Sequence, residues 1–176
     1  MAIDRQKTET VHWHAVFTAS RAEKKVRDRL EELGMECFLP VQTVLRQWTY
    51  RKSRVVVPVI AGLVFVRVSR QEQVKVLQTK GVVAFLRLKG EAGAAVIPDK
   101  QMEDFRFLLD FSEEAVEMTN ENIKAGDLVR VVKGSLRGME GELIRHKGVT
   151  KVLVRIDMLG CAMVNIPASF VEKLNK

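Results

Sequence analysis

The latter half of the chain contains the stretch Gly126-Asp-Leu-Val-Arg-Val-Val-Lys-Gly134-Ser-Leu-Arg-Gly138-Met-Glu-Gly141-Glu-Leu143. An apolar strand leads into a glycine-bearing loop, and a second strand follows it. Glycine adopts positive φ without a steric penalty, which permits a tight loop here. The spacing is not the GxxxxGK[ST] pattern of a nucleotide-binding loop. The glycines therefore indicate turn chemistry between two strands.

The same pattern of short strands separated by glycines continues to the end of the chain. The predicted strands are Leu128 to Val132, Glu142 to Arg145, Lys151 to Ile156 and Ala162 to Ile166. About fifty residues of this kind favour a small SH3-like β-barrel. We therefore expect residues 123–176 to form a separate domain.

A polar segment precedes this predicted barrel. Residues 112–122 are rich in Glu, Thr and Asn and have no apolar period. Such a composition is typical of a linker, because it offers little apolar surface to offset the entropy of ordering. We expect residues 112–122 to link the barrel to an N-terminal domain, residues 1–111.

The N-terminal domain begins with an aromatic strand, Trp13 to Phe17, and a capping box, Ser20-Arg-Ala-Glu23. Apolar residues then recur at helical spacing until Gly34, which can end the helix in a left-handed conformation. Off that apolar stripe lie the cations Arg21, Lys24, Lys25, Arg27 and Arg29. The pattern predicts an amphipathic helix with a basic outer surface.

Two further strands and a short helix are predicted next. Cys37 to Trp48 reads as one strand and Val55 to Val68 as another, and the charged segment Gln47–Arg54 between them suggests a protruding hairpin tip. Ser69-Arg-Gln-Glu72 is a second capping box and predicts a short helix that Gly81 closes. Val82 to Leu88 reads as the following strand.

A third helix is predicted from Pro98-Asp99, because proline suits the first turn and aspartate suits the helix dipole. Helices and strands then alternate in an order typical of an α/β sandwich with a mainly antiparallel sheet. The whole chain is predicted to be α+β: this sandwich followed by the small barrel.

Composition narrows the functional classes. Lys and Arg number 29 and Asp and Glu 22, so the net charge of +7 favours a polyanionic partner.

The first ten residues lack the apolar core of a signal peptide, and the apolar run from Val55 to Val66 is too short to span a bilayer. Cys37 and Cys161 have no CxxC spacing and indicate reduced packing residues, with a disulfide as the alternative. We expect a cytoplasmic protein that does not bind a membrane.

Neither catalysis nor cofactor binding is indicated. His12 and His14 flank Trp13 at strand spacing, but two imidazoles without a third ligand make a poor metal site. The sequence shows no Ser/His/Asp or Cys/His arrangement with the pattern of a catalytic site. We therefore expect no enzyme activity, no metal and no cofactor.

Two stretches resemble a known family. Gly126–Leu143 resembles the KOW motif, with Ser135 and Leu136 where proline and phenylalanine are common. The N-terminal domain resembles that of NusG, with Val57-Pro-Val-Ile-Ala-Gly62-Leu-Val-Phe-Val-Arg67 at the family's strand entry. In this strand entry Ala61 and Leu63 stand where the family usually has proline and tyrosine.

A specialised branch of the family fits these departures. Together with Glu36-Cys-Phe-Leu-Pro40 and Ile97-Pro-Asp-Lys-Gln-Met-Glu-Asp-Phe105, they look like the UpxY-type antiterminators, paralogues associated with capsular polysaccharide operons. The resemblance covers roughly Trp13 to Leu174.

The resemblance implies partners and binding residues. The first domain would dock on the clamp helices of RNA polymerase through an apolar pocket, carried over to Phe17, Ile60, Ala61, Leu63, Phe65 and Phe85. Each of these residues could equally be ordinary core. The non-template DNA strand or nascent leader RNA would meet the first helix at Arg21, Lys24, Lys25 and Arg29. The loop of the KOW motif would comprise Gly134, Ser135, Leu136, Arg137, Gly138 and Gly141.

The hairpin tip is a second candidate for nucleic-acid binding. It pairs cations for phosphates with aromatic faces on which bases can stack. The residues are Trp48, Tyr50, Arg51, Lys52 and Arg54. For these cations, as for those of the helix, a solvated surface is the alternative interpretation.

We expect a processive transcription antiterminator that suppresses pausing or termination. The alternative is a general elongation factor, whose barrel would contact a termination factor or the ribosome. Leu136 argues mildly against that alternative, because it offers less anchor area than an aromatic residue. An RNA-binding KOW protein of the ribosome is a third possibility, but it leaves the N-terminal domain unexplained.

Overall fold

The computed structural model describes residues 9–174, so the expectation about the chain's first residues lies largely outside the described part. The chain divides into two compact units. One combines Met1–Leu39 with Gly62–Val96, and the other combines Pro40–Ala61 with Ile97–Lys176. The sequence instead led us to expect domains made of consecutive residues.

Antiparallel sheets and helices make up the described chain. In chain order the elements are β1 (His12–Thr18), α1 (Glu23–Glu32), β2 (Glu36–Phe38), β3 (Val41–Trp48), β4 (Arg51–Pro58), β5 (Leu63–Val68), α2 (Glu72–Gln78), β6 (Val82–Phe85), α3 (Asp99–Phe111), β7 (Glu117–Thr119), β8 (Asp127–Val131), β9 (Glu140–His146), β10 (Val149–Ile156), β11 (Gly160–Asn165), a 3₁₀ turn (Ala168–Phe170) and β12 (Val171–Lys173). The predicted α+β class is confirmed.

The first unit is built on a four-stranded antiparallel sheet in the order β2-β5-β1-β6. The β1–β5 register places Phe17 opposite Leu63 and Ala15 opposite Phe65. Ala15, Val64 and Phe65 have no exposed surface, and α1 and α2 contact the sheet. Continuous apolar residues in β5 are explained by this burial, since a strand covered on both faces does not alternate.

One of the two predicted capping boxes forms. Ser69 N–H donates to the Glu72 carboxylate at 2.8 Å, and Glu72 N–H donates to the Ser69 hydroxyl at 3.4 Å. At Ser20–Glu23 the box is absent, which corrects the prediction. Glu23 is buried and accepts instead from the Gly62 N–H at 2.7 Å.

Both long strands predicted in this region are divided. Leu39-Pro40 separates β2 from β3, and residues 59–62 separate β4 from β5. Gly62 has a φ of +71°. The sequence did not reveal this bend, because Val55 to Val68 is almost uniformly apolar and only Pro58, Gly62 and Arg67 interrupt it.

The second unit contains the β3–β4 hairpin, α3 and a six-stranded antiparallel sheet in the order β12-β8-β9-β10-β11-β7. Helix α3 begins after Pro98, as predicted, and contacts β10. Its apolar stripe is buried at Met102, Phe105 and Leu108. The predicted glycine-separated strands correspond to β8, β9, β10 and β11.

Part of the predicted linker is a strand, which corrects that expectation. Glu117–Thr119 pairs with β11 in antiparallel register, Met118 lying opposite Ala162. Val116 is buried at 4% exposure. A short edge strand needs few apolar side chains, because its backbone hydrogen bonds are supplied by the neighbouring strand.

Both cysteines are free: Cys37 is partly buried and Cys161 is buried. Burial raises the pKa of the Cys37 thiol to about 12. Within residues 9–174, no helix has the length and apolar character needed to cross a bilayer.

Candidate functional site

The exposed side of α1 carries cations with no acidic partner. Arg21, Lys24 and Lys25 are exposed, and none of them forms an ion pair within residues 9–174. Arg29 is different, because its guanidinium donates to the Lys80 carbonyl at 2.7 Å. Three of the four predicted cations, Arg21, Lys24 and Lys25, are therefore available to bind a ligand. Arg29 also stabilises the fold through its hydrogen bond.

Arg21 has an unusual backbone. Its φ is +58°, a conformation that costs a non-glycine residue free energy. It lies two residues before the start of α1, and the Ala22 N–H donates to the Ala19 carbonyl in the same turn at 3.0 Å. The turn fixes the backbone from which the Arg21 side chain leaves.

The β3–β4 hairpin ends in a two-residue turn at Thr49-Tyr50, with Trp48 opposite Arg51. Tyr50 is 98% exposed and Trp48 is 58% exposed. Exposed aromatic rings beside cations are the arrangement on which unpaired bases stack. The turn length that the sequence left open is thus two residues.

The strand register assigns the hairpin side chains to two faces. Trp48, Arg51 and Arg46 share one face, and Leu45, Lys52 and Arg54 share the other. The predicted tip residues are thus not one surface: Trp48 and Arg51 lie on the first face, Tyr50 is in the turn, and Lys52 and Arg54 lie on the second face.

The hairpin is a strongly positive element. Between Val41 and Pro58 the cations are Arg46, Arg51, Lys52 and Arg54, and there is no Asp or Glu. Across the described part of the chain, none of the four forms an ion pair. An uncompensated cluster of this kind attracts a polyanion at long range.

The residues that the family resemblance assigns to polymerase docking differ in exposure and lie on different faces of the sheet. Phe17 is 41% exposed, whereas Leu63, Phe65 and Phe85 are each at most 4% exposed. Phe17, Leu63 and Phe65 lie on one face of the sheet by register, and Phe85 lies on the opposite face, where its ring meets that of His14. Ile60 is half-buried and Ala61 is exposed in the bend after β4.

The glycine-bearing loop is a tight turn. Gly134 and Gly138 have φ of +80° and +94°, and the Gly138 N–H donates to the Val131 carbonyl at 2.8 Å. Gly141 instead lies within β9, where a Cβ would come within 2.9 Å of the Leu153 carbonyl oxygen.

The remaining loop residues divide between surface and core. Ser135 and Arg137 are exposed, whereas Leu136 is 6% exposed. Leu136 is therefore a packing residue in this unit, and its size does not decide between the general and the specialised function.

Sequence reasoning missed a polar cluster that joins β9 and β10 to residues 123–126. Arg155 donates to both carboxylate oxygens of Glu142, at 2.6 and 2.9 Å, and to the Ile123 carbonyl at 3.0 Å. The hydrogen bond from Arg155 lowers the pKa of Glu142 and, reciprocally, raises the pKa of Arg155. The strand pattern placed both residues on strands, but it did not identify their partners.

The two histidines considered for metal binding do not act together. His14 is buried, and its Nδ1 lies 2.7 Å from the Ala95 carbonyl oxygen. Burial lowers the pKa of His14, which favours the neutral ring. Among residues 9–174, no three His, Cys, Asp or Glu side chains are grouped to hold a metal ion.

Comparisons with known proteins agree with this architecture. Residues 11–106 match the family model described as "Transcription termination factor nusG". The chain belongs to the NusG family. A comparison with curated proteins found no match.

Two solved structures align with nearly the whole chain. NusG from Thermotoga maritima aligns with 94% of this chain and 98% of its own, at 22% identity and a TM-score of 0.51. The MjSpt4:Spt5 complex in conformation B aligns with 93% of this chain and 97% of its own, at 17% identity and a TM-score of 0.31. The first of these similarities shows the fold of a NusG-family transcription factor.

Proposed function

We propose that this protein is a specialised NusG paralogue that binds RNA polymerase and suppresses pausing or premature termination, in operons for polysaccharide synthesis. The observation that carries the proposal is a pair of uncompensated basic surfaces on a NusG-family chain: the α1 cations and the aromatic hairpin tip. The UpxY-like residues noted in the sequence support the specialised branch.

The mechanism is one of binding. A factor that contacts polymerase and nucleic acid together changes pausing only if it binds the elongating state more tightly than the paused state. Arg21, Lys24 and Lys25 supply contacts to phosphates. Trp48, Tyr50 and Arg51 supply stacking and charge for unpaired bases of the non-template strand or the leader RNA.

Phe17 is the residue best placed to contact the polymerase clamp helices. It is a large apolar side chain that is 41% exposed on β1, and Ala84 lies opposite it on β6. Leu63, Phe65 and Phe85 are buried in the core. An aspartate at Leu63 would therefore unfold the unit and could not test docking.

The decisive experiment is a pull-down of purified RNA polymerase with the Phe17→Asp variant. We expect loss of binding, because a carboxylate placed in an apolar contact loses solvation without gaining a partner. Val11→Asp is the matched control, since Val11 is also 41% exposed and lies outside the sheet. Wild-type binding by a folded Phe17→Asp variant would show that docking lies elsewhere.

We also propose that residues 123–176 act as a KOW barrel that binds a regulatory protein or the ribosome. The tight glycine loop with exposed Ser135 and Arg137 supports this assignment. The general elongation factor is the second candidate, because membership of the NusG family does not require a specialised role. Transcription assays on a polysaccharide-operon leader and on an unrelated template distinguish the two, because only a general factor acts equally on both.

A further inference from the structure

The outer edge of β4 is an open strand edge. β3 and β4 form a two-stranded sheet, so within the described residues neither has a second strand neighbour. The start of β3 is held by the polar segment 112–122: the Gln42 carboxamide accepts from the Val116 N–H at 2.8 Å and donates to the Val116 carbonyl at 3.2 Å. Among residues 9–174, β4 receives no hydrogen bond of this kind. Alternate residues along β4 therefore turn backbone N–H and C=O groups towards solvent.

The side chains next to this edge combine charge with exposed aliphatic surface. Lys52, Arg54 and Val56 alternate along one face of β4, and Leu45 lies directly opposite Arg54. Leu45 is 69% exposed and Val56 is 51% exposed. This face contains no aromatic ring, which distinguishes it from the Trp48 face and from Tyr50 at the tip.

We propose that the β4 edge accepts an extended acidic segment of a partner protein as a third strand. Carboxylates at two alternate positions of that segment lie beside Lys52 and Arg54, and an apolar side chain lies beside Val56. Backbone hydrogen bonds supply affinity, and the alternating side chains supply specificity. Opposite charges on neighbouring strands stabilise such a pairing.

The chemistry of the edge favours a peptide over nucleic acid. An edge presents donors and acceptors alternately, and a peptide backbone satisfies both, whereas phosphates only accept. The aliphatic side chains of Leu45 and Val56 offer a base no ring for stacking. A second copy of the chain is disfavoured, because it would bring four further cations to a hairpin that has four and no carboxylate.

The proposal does not depend on polymerase binding. Its test uses the full ¹⁵N-labelled chain and a synthetic peptide of about eight residues, a typical strand length. For an antiparallel third strand the peptide has valine followed at the next two alternate positions by glutamates, with threonine between them. We expect amide shifts centred on β4. A peptide with lysine for glutamate and one with proline at the pairing positions should produce no such shifts.

Charge reversal on the protein sharpens the test. Arg54→Glu should weaken binding of the glutamate peptide roughly tenfold and reduce its advantage over the lysine peptide, because one of the two cross-strand charge contacts changes sign. Lys52→Glu should have the same effect on peptide binding as Arg54→Glu. Arg46→Glu is the matched control, since Arg46 is exposed on the opposite face of the hairpin. This substitution changes the net charge of the protein by the same amount as Arg54→Glu. It should retain nearly wild-type affinity.

Several results would overturn the proposal. They are equal binding of the glutamate and lysine peptides, unchanged affinity with proline present, or equal losses in Arg46→Glu and Arg54→Glu. If single-stranded DNA changed the amide chemical shifts of β4 and the glutamate peptide did not, the edge would be a nucleic-acid-binding site instead. Concentration-dependent dimerisation that protects β4 would assign it to a second copy.

Discussion

Glu142 holds a loop to a sheet through one carboxylate. Its two oxygens receive the Arg155 guanidinium, and one of them also receives the Gly126 N–H at 2.9 Å. Arg155 in turn reaches the Ile123 carbonyl. Ile123 packs against the apolar cluster that includes Leu153 and Met163. Residues 123–126 are thus fixed by polar and apolar contacts together.

Replacing Glu142 with glutamine should lower the free energy of unfolding by about 1 kcal/mol at pH 7, because a partly exposed charge-assisted contact becomes neutral. The lowered pKa of Glu142 sets the pH dependence. Its contribution is complete above the unfolded pKa of about 4.3 and is lost as pH falls through the lower folded pKa. Urea unfolding at several pH values should therefore show the two proteins converging in acid.

Glu140→Gln is the matched control for that experiment. Glu140 pairs with Arg130 on the surface, where both side chains are well exposed. Solvent screening should make its effect much smaller. A difference between wild type and Glu142→Gln that persists unchanged at low pH would contradict the assigned role.

At the scale of elements, Gly160 controls the pairing of β7 with β11. Its φ is +101°, and a Cβ there would lie 2.1 Å from the Thr119 carbonyl oxygen. Gly160→Ala should displace β7, and hydrogen exchange at Glu117–Thr119 should accelerate. Gly148→Ala has a similar φ of +82° but open space, so it isolates backbone strain. Equal exchange in the two variants would mean that the close approach is unimportant.

The cations at helix α1 lead to a prediction about how DNA binding depends on salt concentration. Replacing Arg21, Lys24 and Lys25 together with glutamine should weaken single-stranded DNA binding and flatten its salt dependence. Each lost phosphate contact reduces the log–log slope by roughly 0.7. Arg27→Gln is the control, because Arg27 is paired with Asp28 at 2.6 Å. An unchanged slope in the triple variant would leave these cations as a solvated surface.

Local patterns in the sequence predicted most elements but not their limits. The helical stripe and Pro98 identified α3, and glycine spacing identified β8 to β11. The strand breaks at Leu39-Pro40 and residues 59–62 were missed, because β-branched residues fill both sides of the second break. The capping box predicted at Ser20 does not form, because the Glu23 carboxylate accepts a hydrogen bond from the N–H of Gly62 instead. Gly62 is distant in the sequence, so a local sequence pattern cannot predict this contact.

The candidate site was predictable as residue types but not as surfaces. Exposed cations and aromatic residues at the hairpin tip followed from composition. Their division between two faces depends on the register Trp48 to Arg51, which turn length sets. Phe17 and Phe65 are both apolar strand residues, and only the three-dimensional packing leaves one exposed and the other buried.

At the scale of the molecule, the polar segment 112–122 is held at several points. The Asn165 amide donates to the Glu114 carboxylate at 2.8 Å, and Gln42 bonds both backbone groups of Val116. The buried Lys151 ammonium meets the Glu117 carboxylate at 2.7 Å. Polar composition alone suggested a tether, but hydrogen bonds and one ion pair can offset ordering entropy where apolar surface does not.

This fastening changes what isolated fragments should do. A 97–176 fragment retains α3, β7 and the Glu117–Lys151 pair, whereas a 123–176 fragment loses all three. Without β7, the Lys151 ammonium loses its carboxylate partner and β11 loses the strand that pairs with its outer edge, so the shorter fragment lacks an ion pair and several backbone hydrogen bonds. We therefore expect the shorter fragment to unfold at a lower urea concentration, and Glu117→Gln to move the longer fragment towards it. If both fragments unfold at the same midpoint, residues 112–122 contribute nothing to stability and act as a simple tether.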